Sequence, residues 1–193
     1  MNFDPKPTPL RSQKDVFEYL ARYDVNLVEE FTVEWCPLKT DVMVAHPHGG
    51  VFIHPQILSL GMKLPLTDLV RNVLVFFKVA LPQLTVGAWR VLLTFEVLCN
   101  RFLPKACRRE EFCVVYMMRK GMVTLVPSPP QRGCDKLVVN IPDSNHGWRD
   151  SVVRITGPWE ALAENHGRVL MSWNTRPVRQ ESESMSRLVQ ERS

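Results

Sequence analysis

LGMKLPLTDLVRNVLVFFKVALPQLTVGAWRVLLTFEVLCNRF, the segment from Leu60 to Phe102, has the pattern of two amphipathic helices joined at Pro82-Gln83-Leu84. Apolar residues recur at i, i+3 and i+4 in both halves, which is the period of a helix with one buried face. Proline lacks a backbone N–H and clashes with the preceding turn, so Pro82 is expected to end the first helix. The segment therefore predicts a packed helix pair at the centre of a globular domain.

The first helix is predicted to begin after Pro65, with Thr67 or Asp68 as its N-cap. Its apolar stripe consists of Leu66, Leu69, Val70, Val73, Phe77 and Ala80. The opposite side carries Asp68, Arg71, Asn72 and Lys78. Because Val75 and Val79 interrupt that polar side, the helix is expected to be covered on more than one face.

The second helix is predicted over 86–102, with Thr85 as its cap. Its core stripe is expected to contain Ala88, Val91, Leu92, Phe95, Leu98, Cys99 and Phe102. Its solvated face is expected to carry Arg90, Thr94 and Arg101, with Glu96 and Asn100 beside them.

These helices and their flanks carry a family resemblance. Leu60–Leu66 resembles the "aGLrlPL" element of the plant domain family called "putative gypsy-type transposon", and the P-Q-L, W-R-x-L and F-x-x-L-C elements follow between Pro82 and Cys99. Gly147-Trp148-Arg149-Asp150 is similar to the family's G-W-K-D signature, and Pro158-Trp159 to the P-W after it. The resemblance extends from about Tyr23 to Glu160 and implies a retroelement origin.

The rest of the chain supplies shorter elements. Ser12 and Asp15 resemble a capping box and predict a helix over 13–23 with Val16, Phe17 and Leu20 on its apolar side. Short extended segments are expected at 31–35 and 41–45, a turn at 47–50, and a helix over 51–60 with Pro55 in its first turn. Residues 109–119 favour a third helix ended by Gly121, although 113–116 also suit a strand, and further strands are expected at 122–126, 137–141 and 151–155.

These elements predict an α+β fold: a helical body around the central amphipathic helix pair, with a small C-terminal antiparallel sheet. The length of 193 residues and the 45% hydrophobic content fit one globular domain over 12–173. Residues 1–11 are expected to be an extended lead-in without a secretory signal, and 174–193 a disordered polar tail. Apolar runs such as Val73–Phe77 are far shorter than a membrane span.

The five cysteines are odd in number and contain no C-x-x-C pair: Cys36, Cys99, Cys107, Cys113 and Cys134. Disulfide frameworks belong to oxidising compartments and short secreted chains. We therefore expect reduced thiols and an intracellular protein, with nucleus and cytoplasm equally open.

The formal net charge of +4 is concentrated between Asn100 and Lys120, where six basic residues oppose two acidic ones. The simpler interpretation is that this segment is a solvated turn between helices. The alternative is a nucleic-acid contact surface, because cations that neutralise phosphates release counterions. The candidate contacts are Arg101, Lys105, Arg108, Arg109, Arg119 and Lys120.

Signals for enzyme chemistry are sparse in this sequence. His46, His48 and His54 have a zinc-like spacing but lie among turn residues, so we expect a surface loop and no metal or cofactor. Nucleophile and phosphate-binding motifs are absent, and the scattered carboxylates form no trio that would hold two metal ions. Trp148 and Trp159 are expected to pack in the core more readily than to stack on bases.

The sequence thus predicts a non-enzymatic, retroelement-derived domain that associates with proteins, itself or others, as in a gag-like or domesticated element product. The alternative is a weak, sequence-independent nucleic-acid-binding module that uses residues 101–120. The family name suggests a third class, a transposition enzyme, which the residues do not support. No small-molecule substrate and no membrane partner are expected.

Overall fold

The computed structural model describes residues 10–25, 27, 29–37, 50–102, 108–115, 117–120, 125–128 and 151–157. Their elements, in chain order, are α1 (Gln13–Arg22), β1 (Thr32–Trp35), β2 (Val51–Ile53), α2 (Pro55–Ser59), α3 (Asp68–Phe77), a 3₁₀ helix (Leu81–Gln83), α4 (Val86–Phe102), α5 (Arg109–Val115), β3 (Met117–Lys120), β4 (Leu125–Ser128) and β5 (Val153–Thr156). The described part of the chain is therefore α+β, as predicted.

Helix α1 begins with the expected cap. The Ser12 hydroxyl accepts a hydrogen bond from the Asp15 N–H at 3.2 Å, and the Asp15 carboxylate accepts from the Arg11 N–H at 2.7 Å. These bonds satisfy N–H groups that have no partner within the first turn. Val16 and Tyr19 face the core, but Phe17 is 58% exposed, so its predicted place on the buried side was wrong. Phe17 follows Val16 by one residue and therefore points about 100° away from it.

The sheet differs most from the prediction. Strands β1 and β2 both pair antiparallel with β5, so the order is β1-β5-β2. Ile155 lies in the middle, opposite Val33 on one side and Val51 on the other. The predicted strand at 151–155 is thus present as β5, but its two neighbours precede α2, α3 and α4 in the chain, so the sheet is not a C-terminal unit. Such pairing across about 120 residues leaves no local pattern in the sequence.

The outer edge of β1 is covered by a side chain. The Gln13 amide donates to the Val33 carbonyl at 2.9 Å and accepts from the Trp35 N–H at 2.6 Å. The Trp35 indole donates to the Leu10 carbonyl at 3.1 Å, and the Leu10 N–H donates to the Ser151 hydroxyl at 2.8 Å. Among the described strands β1 is an edge of its sheet, and this amide pairs backbone groups that would otherwise invite a further strand.

The predicted helix over 51–60 is wrong in its first half. Val51–Ile53 is a buried strand, because it pairs with β5 and its β-branched residues suit a sheet. The helix begins after His54, whose Nδ1 accepts from the Gln56 N–H at 3.2 Å. Pro55 occupies the first turn, as predicted, where its missing N–H costs nothing.

The first helix of the central segment ends earlier than predicted. Thr67 is the N-cap residue of α3, as predicted, but the helix stops at Phe77 because Lys78 adopts a left-handed conformation with φ 51° and ψ 53°. Pro82 lies in the following 3₁₀ helix, where the Gln83 side chain accepts from the Ala80 N–H at 3.0 Å. Proline therefore shapes the connection and does not end α3 itself.

Helix α4 has the predicted bounds and begins with the predicted cap, since the Thr85 hydroxyl accepts from the Ala88 N–H at 3.2 Å. Trp89 is fully buried, and its indole donates to the Leu81 carbonyl at 3.3 Å. Trp89 was not in the predicted α4 stripe, whose members Ala88, Val91, Leu92, Phe95 and Cys99 are buried. Leu98, also predicted in the core stripe, is only half-buried. Each buried apolar side chain contributes about 1.5–3 kcal/mol by leaving water.

Three predicted positions on these helices were wrong. Arg71 is 6% exposed, because its guanidinium pairs with the neighbouring Asp68 carboxylate while its stem lies against the core. Glu96 is 9% exposed and follows directly after the buried Phe95, not on the solvated face. Phe102, expected in the core stripe, is 65% exposed in the last turn of α4.

Beyond α4, the predicted third helix is present but shorter. Helix α5 covers Arg109–Val115, and Met117–Lys120, expected to be helical, is strand β3 because it pairs antiparallel with β4. Strand β4 overlaps the predicted strand but runs through Pro127, which a two-stranded sheet tolerates because both strands are edges. The predicted elements at 41–45, 47–49 and 137–141, the lead-in up to residue 9 and the tail lie outside the described residues.

Candidate interaction surface

Helix α4 presents two different faces. One face carries the buried side chains Val91, Leu92, Phe95 and Cys99. The other carries Val97, which is 64% exposed, with half-buried Leu98 and Thr94 beside it and exposed Arg101 one turn further on. We call the side chains at 90, 94, 97, 98 and 101 the outward face of α4. The exposed Phe102 is not part of it, because it lies about 140° from Val97 around the helix, in line with the buried stripe. A helix in a single folded chain normally leaves mostly polar groups on the solvent side, so the exposed valine distinguishes this face.

The outward face is positively charged. The Arg101 guanidinium lies 5.4 Å from the centroid of the Phe102 ring, within cation–π distance. Arg90 is half-buried, and burial lowers the pKa of its guanidinium, which nevertheless stays protonated at neutral pH. The one carboxylate between Val86 and Phe102 belongs to Glu96, which is buried. The outward face therefore combines apolar and cationic groups without an exposed carboxylate of its own.

The first turn of α5 carries two more of the predicted contacts. Arg108 is exposed. Arg109 is half-buried, pairs with the Glu110 carboxylate, and lies 4.7 Å from the centroid of the Phe76 ring. The Arg109 guanidinium therefore makes contacts inside the fold, with a ring of α3 and a carboxylate of α5.

Of the six candidate nucleic-acid contacts, Arg101 and Arg108 are exposed to solvent. Arg109 is instead paired with Glu110 and lies over the Phe76 ring. Lys105 lies outside the described residues, and the description of β3 covers the backbone of Arg119 and Lys120 but not their side chains.

The prediction that His54 lies in a surface loop was wrong, because it is 3% exposed and caps α2. Burial lowers the pKa of its imidazole to about 3, so the ring is neutral and can accept the hydrogen bond from the Gln56 N–H. Its predicted loop neighbours His46 and His48 lie outside the described residues. Within the part of the chain that the structure describes, His, Cys, Asp and Glu side chains form no group of three that could hold a metal ion.

The described cysteines are buried thiols outside any disulfide: Cys36, Cys99 and Cys113. Burial raises the pKa of the Cys113 thiol to about 11, and it also raises the pKa of Cys36. Since the thiolate is the reactive form, these groups are poor nucleophiles at neutral pH. Cys107, Cys134, Trp148 and Trp159 lie outside the described residues.

Sequence reasoning missed the apolar part of the outward face. It assigned Leu98 to the core and did not single out Val97. The signal was present, because Val97 lies three residues after Thr94 and four before Arg101, both predicted on the solvated side. Among the described helices, none has both the length and the apolar character that crossing a bilayer requires.

Comparison with known protein families identifies a match. Residues 51–120, which extend from β2 to β3, match the family described as "Putative gypsy type transposon". This agrees with the resemblance seen between Leu60 and Cys99, while the similar elements at 147–150 and 158–159 lie outside the match. No curated protein and no solved structure matches the chain.

Proposed function

Because residues 51–120 form a domain related to gypsy-type transposons, we propose that this retroelement-related chain is a non-enzymatic protein-association module that binds its partner through the outward face of α4. The observation that carries the proposal is the exposure of Val97, 64%, beside the exposed Arg101, on the side of α4 opposite its buried face. Arginine is enriched in protein interfaces, and apolar groups form their fully buried centre.

The energetics favour association of moderate strength. Covering Val97 fully would contribute about 1.5–3 kcal/mol. Arg101 adds a planar donor that pairs well with carboxylates. Val97 beside half-buried Leu98 and Thr94 resembles the small central cluster that carries most of the energy in a protein interface.

A structural role is also supported by the chemistry of the described side chains. The buried thiols have raised pKa values, and His54 is used as a helix cap. The ion pair between buried Arg71 and exposed Asp68 belongs to a single helix and gives the buried guanidinium a partner. These groups stabilise the domain and leave the outward face of α4 as its distinctive surface.

Nucleic-acid binding is the second candidate, and the exposure of Arg101 and Arg108 favours it. Two phosphate contacts on duplex DNA would give a log–log salt slope of about −1.8, from about −0.9 per contact. Arg109 is already paired with Glu110, and Glu111 adjoins them, so the first turn of α5 is close to neutral. We therefore expect this surface to bind phosphates more weakly than the charge of the sequence alone suggested.

The experiment that tests association compares three full-length chains: wild type, Val97→Asp and Phe17→Asp. Phe17 is a matched control, since it is 58% exposed on α1, away from the proposed surface. Sedimentation equilibrium measures self-association, and immobilised chains capture binding proteins from cell extract. We expect complexes that Val97→Asp removes and Phe17→Asp leaves intact. Association that both variants retain, or that neither wild-type assay detects, would contradict the proposal.

A further inference from the structure

We propose that the outward face of α4 binds an acidic amphipathic helix of another protein, in preference to a second copy of this chain or a nucleic acid. This inference rests on the proposed association function and names its partner. It follows from two independent features of α4, the spacing of its exposed side chains and the sign of their charge.

The spacing fits a partner helix. Arg90, Thr94, Val97 and Arg101 are separated by four, three and four residues, which is the alternation of positions that face a neighbouring helix in a two-helix contact. The first two are half-buried and the last two are exposed, all along one side of α4. Val97 is the central apolar residue, and half-buried Leu98 widens the contact on one flank. The 17 residues of α4 extend for about 25 Å, enough for a partner of about three to four turns.

The charge selects the chemistry of that partner. Arg101 and Arg108 are exposed, and the carboxylate within α4 is buried at Glu96. Acidic side chains on either side of a partner's apolar stripe would pair with Arg101 in the planar geometry that a guanidinium favours. The surface thus supplies the cations and one apolar residue, and it requires a partner that supplies the carboxylates.

A second copy fits this surface poorly. In a two-fold pair the same patch meets itself, so the arginines of one chain would approach those of the other. The outward face of α4 provides no exposed carboxylate that could compensate the repulsion. Like charges across an interface suppress association, and here they disfavour the homodimer.

Nucleic acid also fits less well. Bases in a single strand stack on aromatic faces, whereas the central groups here, Val97 and Leu98, are aliphatic. The Phe102 ring already has the Arg101 guanidinium at 5.4 Å. Phosphate contacts would use Arg101 and Arg108 but would leave the apolar centre in water.

The test uses a designed peptide as the probe. It is about 21 residues long, or three heptads, with leucine along one stripe and glutamate on both sides of it. A second peptide has lysine in place of every glutamate, and a third has the acidic composition in scrambled order. Fluorescence anisotropy measures the binding of each peptide to the full chain. We expect the acidic helix to bind at least about tenfold more tightly than either control, as charge complementarity requires.

Variants of the chain locate the site and check the charge. Val97→Asp should weaken binding of the acidic helix at least about tenfold, as expected for a central anchor, and Phe17→Asp should leave it unchanged. Arg101→Glu should weaken the acidic helix and strengthen the lysine helix, a reversal that loss of folding would not produce. Circular dichroism of each variant confirms that the helices are retained.

The alternative outcomes separate this inference from the function on which it rests. Two outcomes would contradict the acidic partner but leave association through α4 in place. One is a dimer that Val97→Asp abolishes, and the other is equal binding of the lysine helix and the acidic helix. If a single-stranded oligonucleotide binds more tightly than the acidic helix, and Arg101→Glu abolishes that binding, the partner is a nucleic acid. Binding of the acidic helix that survives Val97→Asp would remove the surface itself and with it the proposed function.

Discussion

Replacing Phe95 by alanine should strongly destabilise the domain. Phe95 is 4% exposed, and its ring meets Phe112 of α5 edge to face, with centroids 5.4 Å apart and an interplanar angle of 73°. Truncation of a buried phenylalanine costs about 3–5 kcal/mol, which combines lost burial with the cavity left behind. About 0.5–1.5 kcal/mol of this belongs to the aromatic pair. The total is a large fraction of the 5–15 kcal/mol or so that stabilises a typical domain.

The matched control lies two residues further along the same helix. Val97→Ala shortens an aliphatic side chain that is 64% exposed, so the free energy of unfolding should change by no more than about 0.5 kcal/mol. The higher helix propensity of alanine offsets part of any loss. Urea unfolding followed by circular dichroism measures both changes, and the midpoints report stability as long as the slopes agree.

A double variant tests the contact itself. Phe95→Ala combined with Phe112→Ala should cost less than the sum of the two single changes, because the second truncation no longer breaks an intact ring pair. Equal shifts for Phe95→Ala and Val97→Ala would refute the assignment of buried and outward faces to α4. Strict additivity with Phe112→Ala would refute the packing of α4 against α5.

Three further predictions concern other parts of the fold. Burial holds the pKa of His54 at about 3 in the folded chain, below its ordinary value of 6.5, so the unfolded chain binds the extra proton. The free energy of unfolding should therefore be highest above about pH 6.5 and fall by up to about 1.4 kcal/mol per pH unit as the pH drops towards 3. His54→Asn keeps a cap acceptor and should flatten this profile in urea titrations. Gln13→Ala should cost about 1–3 kcal/mol by unpairing the outer edge of β1 and should promote aggregation visible in light scattering, whereas Lys14→Ala, at a side chain 84% exposed, should do neither. Gly157→Ala would place a Cβ 2.7 Å from a backbone carbonyl oxygen and should lower the melting temperature more than Gly61→Ala, which also has positive φ but meets nothing within 4 Å; equal shifts would contradict the close approach.

Local signals in the sequence located the helices well. The period of apolar residues and the cap at Thr85 gave both ends of α4, and Ser12 gave the start of α1. The same signals failed where a distant partner decides the structure. Val51–Ile53 resembles a helix start on its own but becomes a strand beside β5, which lies about 100 residues later. Met117–Lys120 likewise becomes a strand through its pairing with β4.

The candidate surface was predicted only in part, for a related reason. The polarity of a residue suggests which side of a helix it occupies, but burial depends on what packs there. Arg71 is buried because Asp68 pairs with it, and Arg109 is drawn against Phe76 from another helix. Phe102 is exposed in the last turn of α4, where a hydrophobic stripe alone would place it in the core. The charge of the surface was visible in the sequence, whereas its apolar centre required the packing of the whole helix.

The most direct measurement is methyl NMR of the full chain as the acidic amphipathic peptide is added. Binding through the outward face of α4 predicts shifts of the Val97 and Leu98 methyl signals that saturate with the same dissociation constant as the anisotropy. The methyl signals of Val91 and Leu92, on the buried face of the same helix, should shift far less. Saturable shifts confined to groups away from Val97 and Leu98 would contradict association through α4.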